Sequence, residues 1–198
     1  MNNNNLMETF YLETPSLERK NEIIDYINEF VEHKSDINAT GSLDKILDGY
    51  TFEQALESCL NMQYEEYAKK FGRCQGKTFL LIRKNDNKII GTINVRWNLT
   101  EKVKQFGGNI GYGIRPTERR KGYNKMNLYL GLIEAKKIGL DKVMLDCDVE
   151  NLGSSKTMEA LGGKLERTEI DPYDGILTSV YWINVDESLE KYKDEYVN

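Results

Sequence analysis

Hydrophobic positions in the first third of the chain recur at helical spacing. Between residues 17 and 33 the apolar side chains fall near one face of a helix, and Ser16 stands where an N-cap is expected. Thr51 begins a capping-box pattern with the glutamine three residues later, which predicts a second long helix over residues 51–70. We therefore expect a helical front part over about residues 14–72.

The middle of the chain alternates apolar and β-branched residues with polar ones, which is typical of strands. Residues 78–83 and 89–99 fit this pattern and are separated by a polar turn, so they predict a hairpin. Residues 106–114 predict a third strand that contains four glycines. Glycine within a strand marks a bulge or a place where a ligand or another backbone comes close.

The last third of the chain switches between the two kinds of spacing. Two of its strand-like segments are joined through Asp174 and Gly175, a strong hairpin signal. The succession of types predicts an α/β protein with a mixed sheet and helices on its faces. The predicted helices cover residues 121–138, 154–161 and 186–196, and the predicted strands cover residues 142–147, 164–170 and 176–185.

The composition is that of a globular protein. The chain has 198 residues, 39% of them hydrophobic and 30% charged, which fits a single domain over residues 1–198. A net charge of -5 argues against nucleic acid as the main partner. No apolar run approaches the ~18 residues of a membrane span, so no membrane partner is expected. The initial MNNNN lacks the basic and apolar parts of a signal peptide and is predicted to be a frayed tail.

Cysteine and histidine usage argues against disulfides and against a metal site. Cys59, Cys74 and Cys147 are odd in number and widely spaced, which favours reduced thiols and a cytoplasmic location. The single histidine, His33, belongs to no ligand cluster, so no metal is expected.

One basic stretch stands out in this acidic chain. Arg119, Arg120 and Lys121 precede Gly122 where a helix is predicted to begin. A helix start leaves about four backbone N–H groups without partners, and the helix dipole adds positive potential there. Glycine removes a Cβ where a phosphate would come close. The stretch therefore predicts a pyrophosphate site, with a solvated basic helix start as the alternative.

Two motifs extend this interpretation to a family. Arg119 and Gly122 match an [RQ]-x-x-G-x-[GA] signature, from which Asn124 departs, and residues 150–166 match an N-x-x-[AS]…LGF segment. Both motifs resemble the GNAT family of acetyl-CoA-dependent N-acetyltransferases. The runs GGNIGYGIRP, CD and YWI are similar to a subgroup of predicted acetyltransferases. The resemblance covers residues 76–185 as the cofactor-binding core. It implies a GNAT-type central mixed, mostly antiparallel β-sheet flanked by α-helices.

The resemblance also implies a binding site for acetyl-CoA as cosubstrate. In this family the strand before the signature separates from the next strand, and the pantetheine arm lies in the gap. The pyrophosphate is expected on the backbone amides at the helix start. The implied cofactor-binding residues are Tyr112, Gly113, Ile114, Arg119, Arg120, Lys121, Gly122, Tyr123, Asn124, Lys125, Asn151 and Ser154.

For catalysis the resemblance implies direct attack of a neutral amine on the thioester. Met158 stands where many family members carry a tyrosine acid, and Asn109 stands where many carry a glutamate base. We hypothesise that Asp148 or Glu150 accepts the proton, directly or through water. The alternative is that both are loop carboxylates that bind nothing.

The expected function is transfer of an acetyl group from acetyl-CoA to a primary amine of a small molecule or peptide. A non-catalytic acyl-CoA-binding sensor or regulatory module is one alternative, and a purely structural α/β domain is another. The identity of the acceptor amine stays open, as does the choice between monomer and homodimer.

Overall fold

Seven strands and seven α-helices make up the part of the chain that the structure describes. The computed structural model describes residues 8–196, so the predicted frayed tail MNNNN lies outside the described residues. The strands are β1 Phe10–Glu13, β2 Gln75–Arg83, β3 Lys88–Trp97, β4 Ile110–Ile114, β5 Lys142–Asp148, β6 Lys164–Ile170 and β7 Leu177–Asn184. The helices are α1 Lys20–Glu32, α2 Phe52–Asn61, α3 Glu65–Lys70, α4 Glu101–Gln105, α5 Tyr123–Lys137, α6 Leu152–Ala160 and α7 Val185–Tyr196. Short 3-10 helices cover Leu17–Arg19, Leu43–Asp48 and Pro116–Glu118.

The strands form two antiparallel sheets that meet at one junction. One sheet has the order β1-β2-β3-β4 and the other has the order β5-β7-β6. At the junction, Asn109 N donates to Met144 O at 2.7 Å, and Met144 N donates to the side-chain oxygen of Asn109 at 2.9 Å. Beyond it, within residues 8–196, β4 pairs only with β3 and β5 pairs only with β7. The predicted α/β class, with antiparallel strands flanked by helices, is confirmed.

Helices pack on both faces of the larger sheet. On one face, α5 and α6 bury Leu128 and Met158 in a core shared with the second sheet. On the other face, Phe30 of α1 packs with α2 against β2. The predicted apolar face is wrong at its two ends, because Leu17 and Val31 are exposed. Leu17 lies in the 3-10 helix before α1, and Val31 lies in the last turn of α1.

The predicted hairpins β2–β3 and β6–β7 and the helix after the basic stretch are confirmed. The capping box at Thr51 is confirmed too: its Oγ1 accepts from Gln54 N at 3.2 Å, and Thr51 N donates to Gln54 Oε1 at 3.0 Å. The predicted single helix over residues 51–70 is wrong, because it breaks after Asn61. At the break, the carbonyl of Met62 accepts a hydrogen bond from Gly76 N at 3.1 Å. This carbonyl therefore pairs with the start of β2 and not with a further turn of the helix.

Two strand predictions are also wrong in part. The strand predicted over residues 106–114 begins only at Ile110, because α4 precedes it and Gly107 and Gly108 have φ values of +103° and +56°. A Cβ at Gly108 would collide with the carbonyl of Met144, so this glycine permits the close approach at the junction. Strand β1 was not predicted. Its four residues are too few to show an alternating pattern, and their pairing with β2 holds them extended.

Candidate active site

A cleft of about 700 Å³ opens where β4 and β5 separate. It is bounded by the end of β4, the starts of α5 and α6, and the segment that follows α1. Phe30 of α1 and Ser35, Asp36 and Asn38 of the following loop line it from the front part. The sequence did not predict this, because the helix and the loop lie far from β4 along the chain. All the predicted cofactor residues except Lys121 line it: Tyr112, Gly113, Ile114, Arg119, Arg120, Gly122, Tyr123, Asn124, Lys125, Asn151 and Ser154.

The backbone before α5 presents a row of unpaired amides. Within residues 8–196, the N–H groups of Arg120 through Asn124 have no hydrogen-bond acceptor, and the first paired amide is Lys125 N, which donates to Gly122 O at 3.1 Å. Arg120 and Gly122 hold φ values of +63° and +84°. Five consecutive free N–H groups at the positive end of a helix form a site for an anion.

Gly122 is required by its backbone conformation. A Cβ at this position would contact no described atom within 4 Å, whereas its φ of +84° is in the left-handed region that favours glycine. Protein crowding therefore does not explain this glycine, and the open space beside it is available to a ligand.

The basic side chains at the helix start divide into two kinds. Arg119 donates through Nε to Ile114 O at 3.0 Å and through Nη2 to Ser35 Oγ at 2.8 Å, so it ties β4 to the front part. Lys121 pairs with Glu118 at 2.7 Å, and this hydrogen bond raises the pKa of Lys121. Arg120, among the described residues, has no ion-pair partner, and the same holds for Lys125, which leaves these two cations for a ligand.

The start of α6 is tied to β4 by Tyr112. Asn151 caps this helix, since its Oδ1 accepts from Ser154 N at 3.1 Å. The hydroxyl of Tyr112 donates to Ser154 O at 3.3 Å, and burial raises the pKa of this tyrosine. Asn124 has a buried Oδ1 without a partner in the described chain. Tyr112 therefore packs toward the helices, a direction that its place in the strand could not predict.

The backbone of β4 presents free groups to the gap. Arg115 N donates to Ile90 O at 2.9 Å, and Arg96 N donates to Asn109 O at 2.7 Å. In an antiparallel pair the residues between such bonded positions point their N–H and C=O groups away from the neighbouring strand. The N–H groups of Tyr112 and Ile114 therefore point into the gap between β4 and β5.

The structure does not bring the predicted catalytic carboxylates into this cleft. Asp148 and Glu150 are exposed at the end of β5 and are absent from the residues that line it. Met158 is fully buried in the core. The side chain of Asn109 serves the junction, donating to Arg96 O at 3.1 Å and accepting from Met144 N. Neither Met158 nor Asn109 therefore supplies a proton donor or acceptor to a substrate.

Cys147 is partly buried and packs against the core, as the sequence indicated. Burial raises its pKa to about 11, so the thiol stays protonated near neutral pH and is a poor nucleophile. Across residues 8–196 no group of three or more His, Cys, Asp and Glu side chains is placed to hold a metal ion. The helices of the same residues include none with the length and hydrophobicity of a membrane span.

Comparison with known protein families identifies the chain. The model of the acetyltransferase (GNAT) domain matches residues 38–164. The chain belongs to the GNAT family of acetyltransferases. The family predicted from the motifs is confirmed, and with it the predicted enzyme class, an acetyl-CoA-dependent N-acetyltransferase with acetyl-CoA as cosubstrate. A search of the curated proteins found no match.

Solved structures of GNAT acetyltransferases share the fold of this GNAT protein. RimL, a ribosomal L7/L12 alpha-N-protein acetyltransferase in complex with coenzyme A, is 16% identical with a TM-score of 0.61, and the match covers 90% of this chain and 96% of that one. The ribosomal-protein-S5-alanine acetyltransferase from Vibrio fischeri is 17% identical with a TM-score of 0.65, covering 90% and 94%. Mutant forms of the spermidine/spermine N-acetyltransferase SpeG from Vibrio cholerae are 14% identical with a TM-score of 0.62, covering 92% and 98%. At these identities the likeness shows the fold alone.

Proposed function

We propose that this GNAT protein transfers the acetyl group of acetyl-CoA to a primary amine of a small molecule or peptide by direct attack of the amine. The observation that carries the proposal is the row of five unpaired amides from Arg120 to Asn124 at the mouth of the cleft. A diphosphate is the ligand whose oxygens match such a row. The residues present therefore fit the cosubstrate that the family uses.

The proposed binding mode assigns a role to each wall of the cleft. The amides from Arg120 to Asn124 bind the pyrophosphate, assisted by the unpaired charges of Arg120 and Lys125. The free N–H of Ile114 and the free C=O of Tyr112 pair with the pantetheine arm in the gap. Arg119 holds the front part against β4 through its hydrogen bonds to Ser35 and Ile114.

Acetyl-CoA supplies an acetyl group activated as a thioester. The protein's own part is to hold that group where the two strands separate and to stabilise negative charge on its carbonyl oxygen. The N–H group of Tyr112, which is nearer the sheet junction than Ile114, points into this space. Such a fixed donor acts without reorganisation during the reaction.

Two classes of acceptor amine follow from the proteins that share this fold. RimL and the S5-alanine acetyltransferase are named for protein substrates, and SpeG is named for polyamines. We take an N-terminal peptide amine and spermidine as the two test acceptors. Because Cys59, Cys74 and Cys147 are all free thiols, we also propose that the protein works in the reducing cytoplasm.

One observation favours a second function, a non-catalytic acyl-CoA-binding sensor or regulatory module. Met158 and Asn109 occupy the places of two common catalytic side chains, and both are committed to packing or to the sheet junction. This alternative requires the same acetyl-CoA site but no thiol release with any amine.

The test is a calorimetric titration with acetyl-CoA of the wild type, Gly122→Asp and Gly122→Asn. Both variants impose the same left-handed backbone strain, so they differ in the negative charge placed beside the amides. We expect micromolar binding by the wild type, moderately weaker binding by Gly122→Asn and no measurable binding by Gly122→Asp. Equal binding by the two variants would remove the amide row as the pyrophosphate site.

Thiol release from acetyl-CoA then separates the two functions. Wild-type protein is assayed with spermidine and with a peptide that begins with alanine. Release with either amine supports acetyl transfer. Tight acetyl-CoA binding without release supports the sensor.

A further inference from the structure

We infer that the carboxylate of Asp146 contacts the acceptor amine beside the junction of the two sheets and receives its proton. The inference rests on the proposed function and names a residue that sequence reasoning did not single out. It differs from the predicted role of Asp148 or Glu150, which lie farther out toward the exposed end of β5.

Asp146 points away from the core formed with α5 and α6. Leu145 and Cys147 pack into that core from β5. Successive residues of a strand point to opposite faces, so Asp146 points to the other face together with Met144, which packs against Phe106. The carboxyl group is therefore on the side of the gap that α5 and α6 do not cover.

The same face of β4 carries no side chains. Tyr112 packs toward the core that contains α5, so its neighbours Gly111 and Gly113 lie on the face of Asp146. Arg96 lies on this face, with Nη2 3.6 Å from the position of a Cβ at Gly111. The front part also approaches these glycines: a Cβ at Gly111 would be 3.7 Å from that of Ala39, and one at Gly113 would be 3.2 Å from Asn38 O. Two bare backbone positions, the front segment, Arg96 and Asp146 thus bound the approach to the gap.

Asp146 does not itself line the cofactor cleft; it lies between the cleft and the sheet junction, where Gly107 N donates to it. It is two residues after Met144 in β5. The backbone of Met144 forms the hydrogen bonds with Asn109 that join the two sheets. Tyr112 and Ile114, whose backbone lines the gap, continue from the junction toward the same cleft. A thioester that enters from the start of α5 and reaches toward the junction therefore comes next to this carboxyl group.

One oxygen of the carboxyl group is available to a substrate. Gly107 N donates to Oδ2, which fixes the orientation of the group. No donor in the described part of the chain reaches Oδ1. Arg96 donates to the carbonyl of the same Gly107 and, among residues 8–196, makes no ion pair with Asp146. The carboxylate is thus oriented by the backbone and not neutralised by a contacting cation.

The charged neighbours of Asp146 adjust its affinity for a proton. Burial raises the pKa of Asp146 above the ordinary value of an aspartate, while the hydrogen bond from Gly107 and the charge of Arg96 act in the opposite direction. Asp171, after β6, and Asp148, on β5, raise it further. A base whose pKa lies closer to the working pH transfers protons more effectively.

The other titratable groups on this site stay neutral. Tyr112 of β4 and Cys147 of β5 are near Asp146 but pack on the opposite face, toward α5 and α6, and burial raises the pKa of both. Neither group therefore competes with Asp146 for the role of base near neutral pH.

The proposed step balances as follows for a primary ammonium. One proton moves from the nitrogen to Oδ1 of Asp146, and the freed lone pair forms the N–C bond to the acetyl carbonyl carbon. The C–S bond breaks, its electron pair leaves with the thiolate, and the second proton on nitrogen goes to that thiolate. Asp146 returns its proton to water, so the products are the amide, the thiol and one proton.

The experiment compares Asp146→Asn with Asp148→Asn, which removes the same charge from the same face of the same strand. Asparagine keeps an oxygen to accept from Gly107 N, so the loop before β4 stays in place. For the wild type with spermidine or the alanine peptide, we expect kcat/KM to fall at low pH along a limb set by Asp146. Asp146→Asn should lose that limb and lower kcat/KM at pH 7 about 100-fold, with acetyl-CoA affinity unchanged. Asp148→Asn should keep the rate at pH 7 and the acidic limb. The limb should move to slightly lower pH, because this change removes a charge that raises the pKa of Asp146.

A second readout needs no turnover. The carboxyl ¹³C signals of the free protein are followed with pH, and the aspartate signal with the raised midpoint should be absent in Asp146→Asn and present in Asp148→Asn. Active wild type together with an Asp146→Asn variant that keeps the acidic limb would overturn this inference alone. Wild type that binds acetyl-CoA but releases no thiol with either amine would overturn the proposed transfer and this inference together.

Discussion

Arg120 adopts a left-handed backbone conformation at the mouth of the cleft, with φ of +63°. A residue with a side chain pays about 1 kcal/mol for this conformation, a cost that glycine avoids. The strain turns its N–H group toward the cleft, next to four more unpaired amides. Its side chain is exposed and, within the described residues, bonded to nothing, which leaves the guanidinium for an anionic ligand.

Replacing Arg120 by glycine should separate binding from stability. Arg120→Gly relieves the strain but adds freedom to the unfolded chain, so the unfolding free energy should change by less than about 0.5 kcal/mol. Acetyl-CoA affinity should fall about 10-fold, because one charge-assisted contact to phosphate is lost. Arg120→Lys, which keeps the charge, should recover most of the affinity. Unchanged affinity in Arg120→Gly would show that this side chain does not touch the phosphates.

At the scale of the elements, the junction of the two sheets depends on one buried side chain. Asn109 is 7% exposed, and its amide group donates to Arg96 O and accepts from Met144 N. Both polar atoms of the side chain are therefore used, and they bridge β3 to β5 where β4 begins. This structural use explains why the position does not carry an acid for catalysis.

Asn109→Ala should destabilise the protein by about 2 kcal/mol, because it leaves the buried N–H of Met144 and the C=O of Arg96 without partners. Asn109→Glu, which introduces the residue common in the family, should be at least as destabilising and should not raise kcat, since a longer charged group does not fit the junction. Denaturant unfolding and thiol-release assays check both. A stable Asn109→Glu with higher kcat would contradict the structural role.

Local signals in the sequence predicted most of the elements, whereas contacts between distant segments were not predictable. The capping box at Thr51 and the Asp174–Gly175 turn each act within a few residues, and both are confirmed. The basic helix start could also be predicted from the sequence, because residues 119–122 are consecutive. In contrast, the place of Asp146 depends on which face of β5 packs on α5 and α6. Likewise the break after Asn61 depends on a hydrogen bond from β2.

For the molecule as a whole, the helical front part is tied to the core by ion pairs around the buried Arg115. Arg115, at the end of β4, pairs with Asp25 at 2.8 Å and with Glu29 at 2.6 Å, both on α1. Glu29 also accepts from Thr117 N at 2.9 Å. Because the cofactor cleft lies between this front part and the core, the cluster helps to keep the cleft formed.

Protonation of Glu29 should loosen this tie at low pH. Burial disfavours its charge, but the hydrogen bonds from Thr117 and Arg115 outweigh burial and lower the pKa of Glu29 below its ordinary value. A carboxyl group whose pKa is lower in the folded state stabilises the protein at every pH above its unfolded-state pKa. This stabilisation is lost as the pH falls through the folded-state pKa. Glu29→Gln should therefore lower the unfolding free energy by about 2 kcal/mol at pH 7. The difference from wild type should shrink between about pH 5 and pH 3.

Glu32→Gln, an exposed change on the same helix, should match the wild type throughout. A Glu29→Gln penalty that is the same at pH 3 and pH 7 would mean that packing, and not the charge of Glu29, ties the front part to the core.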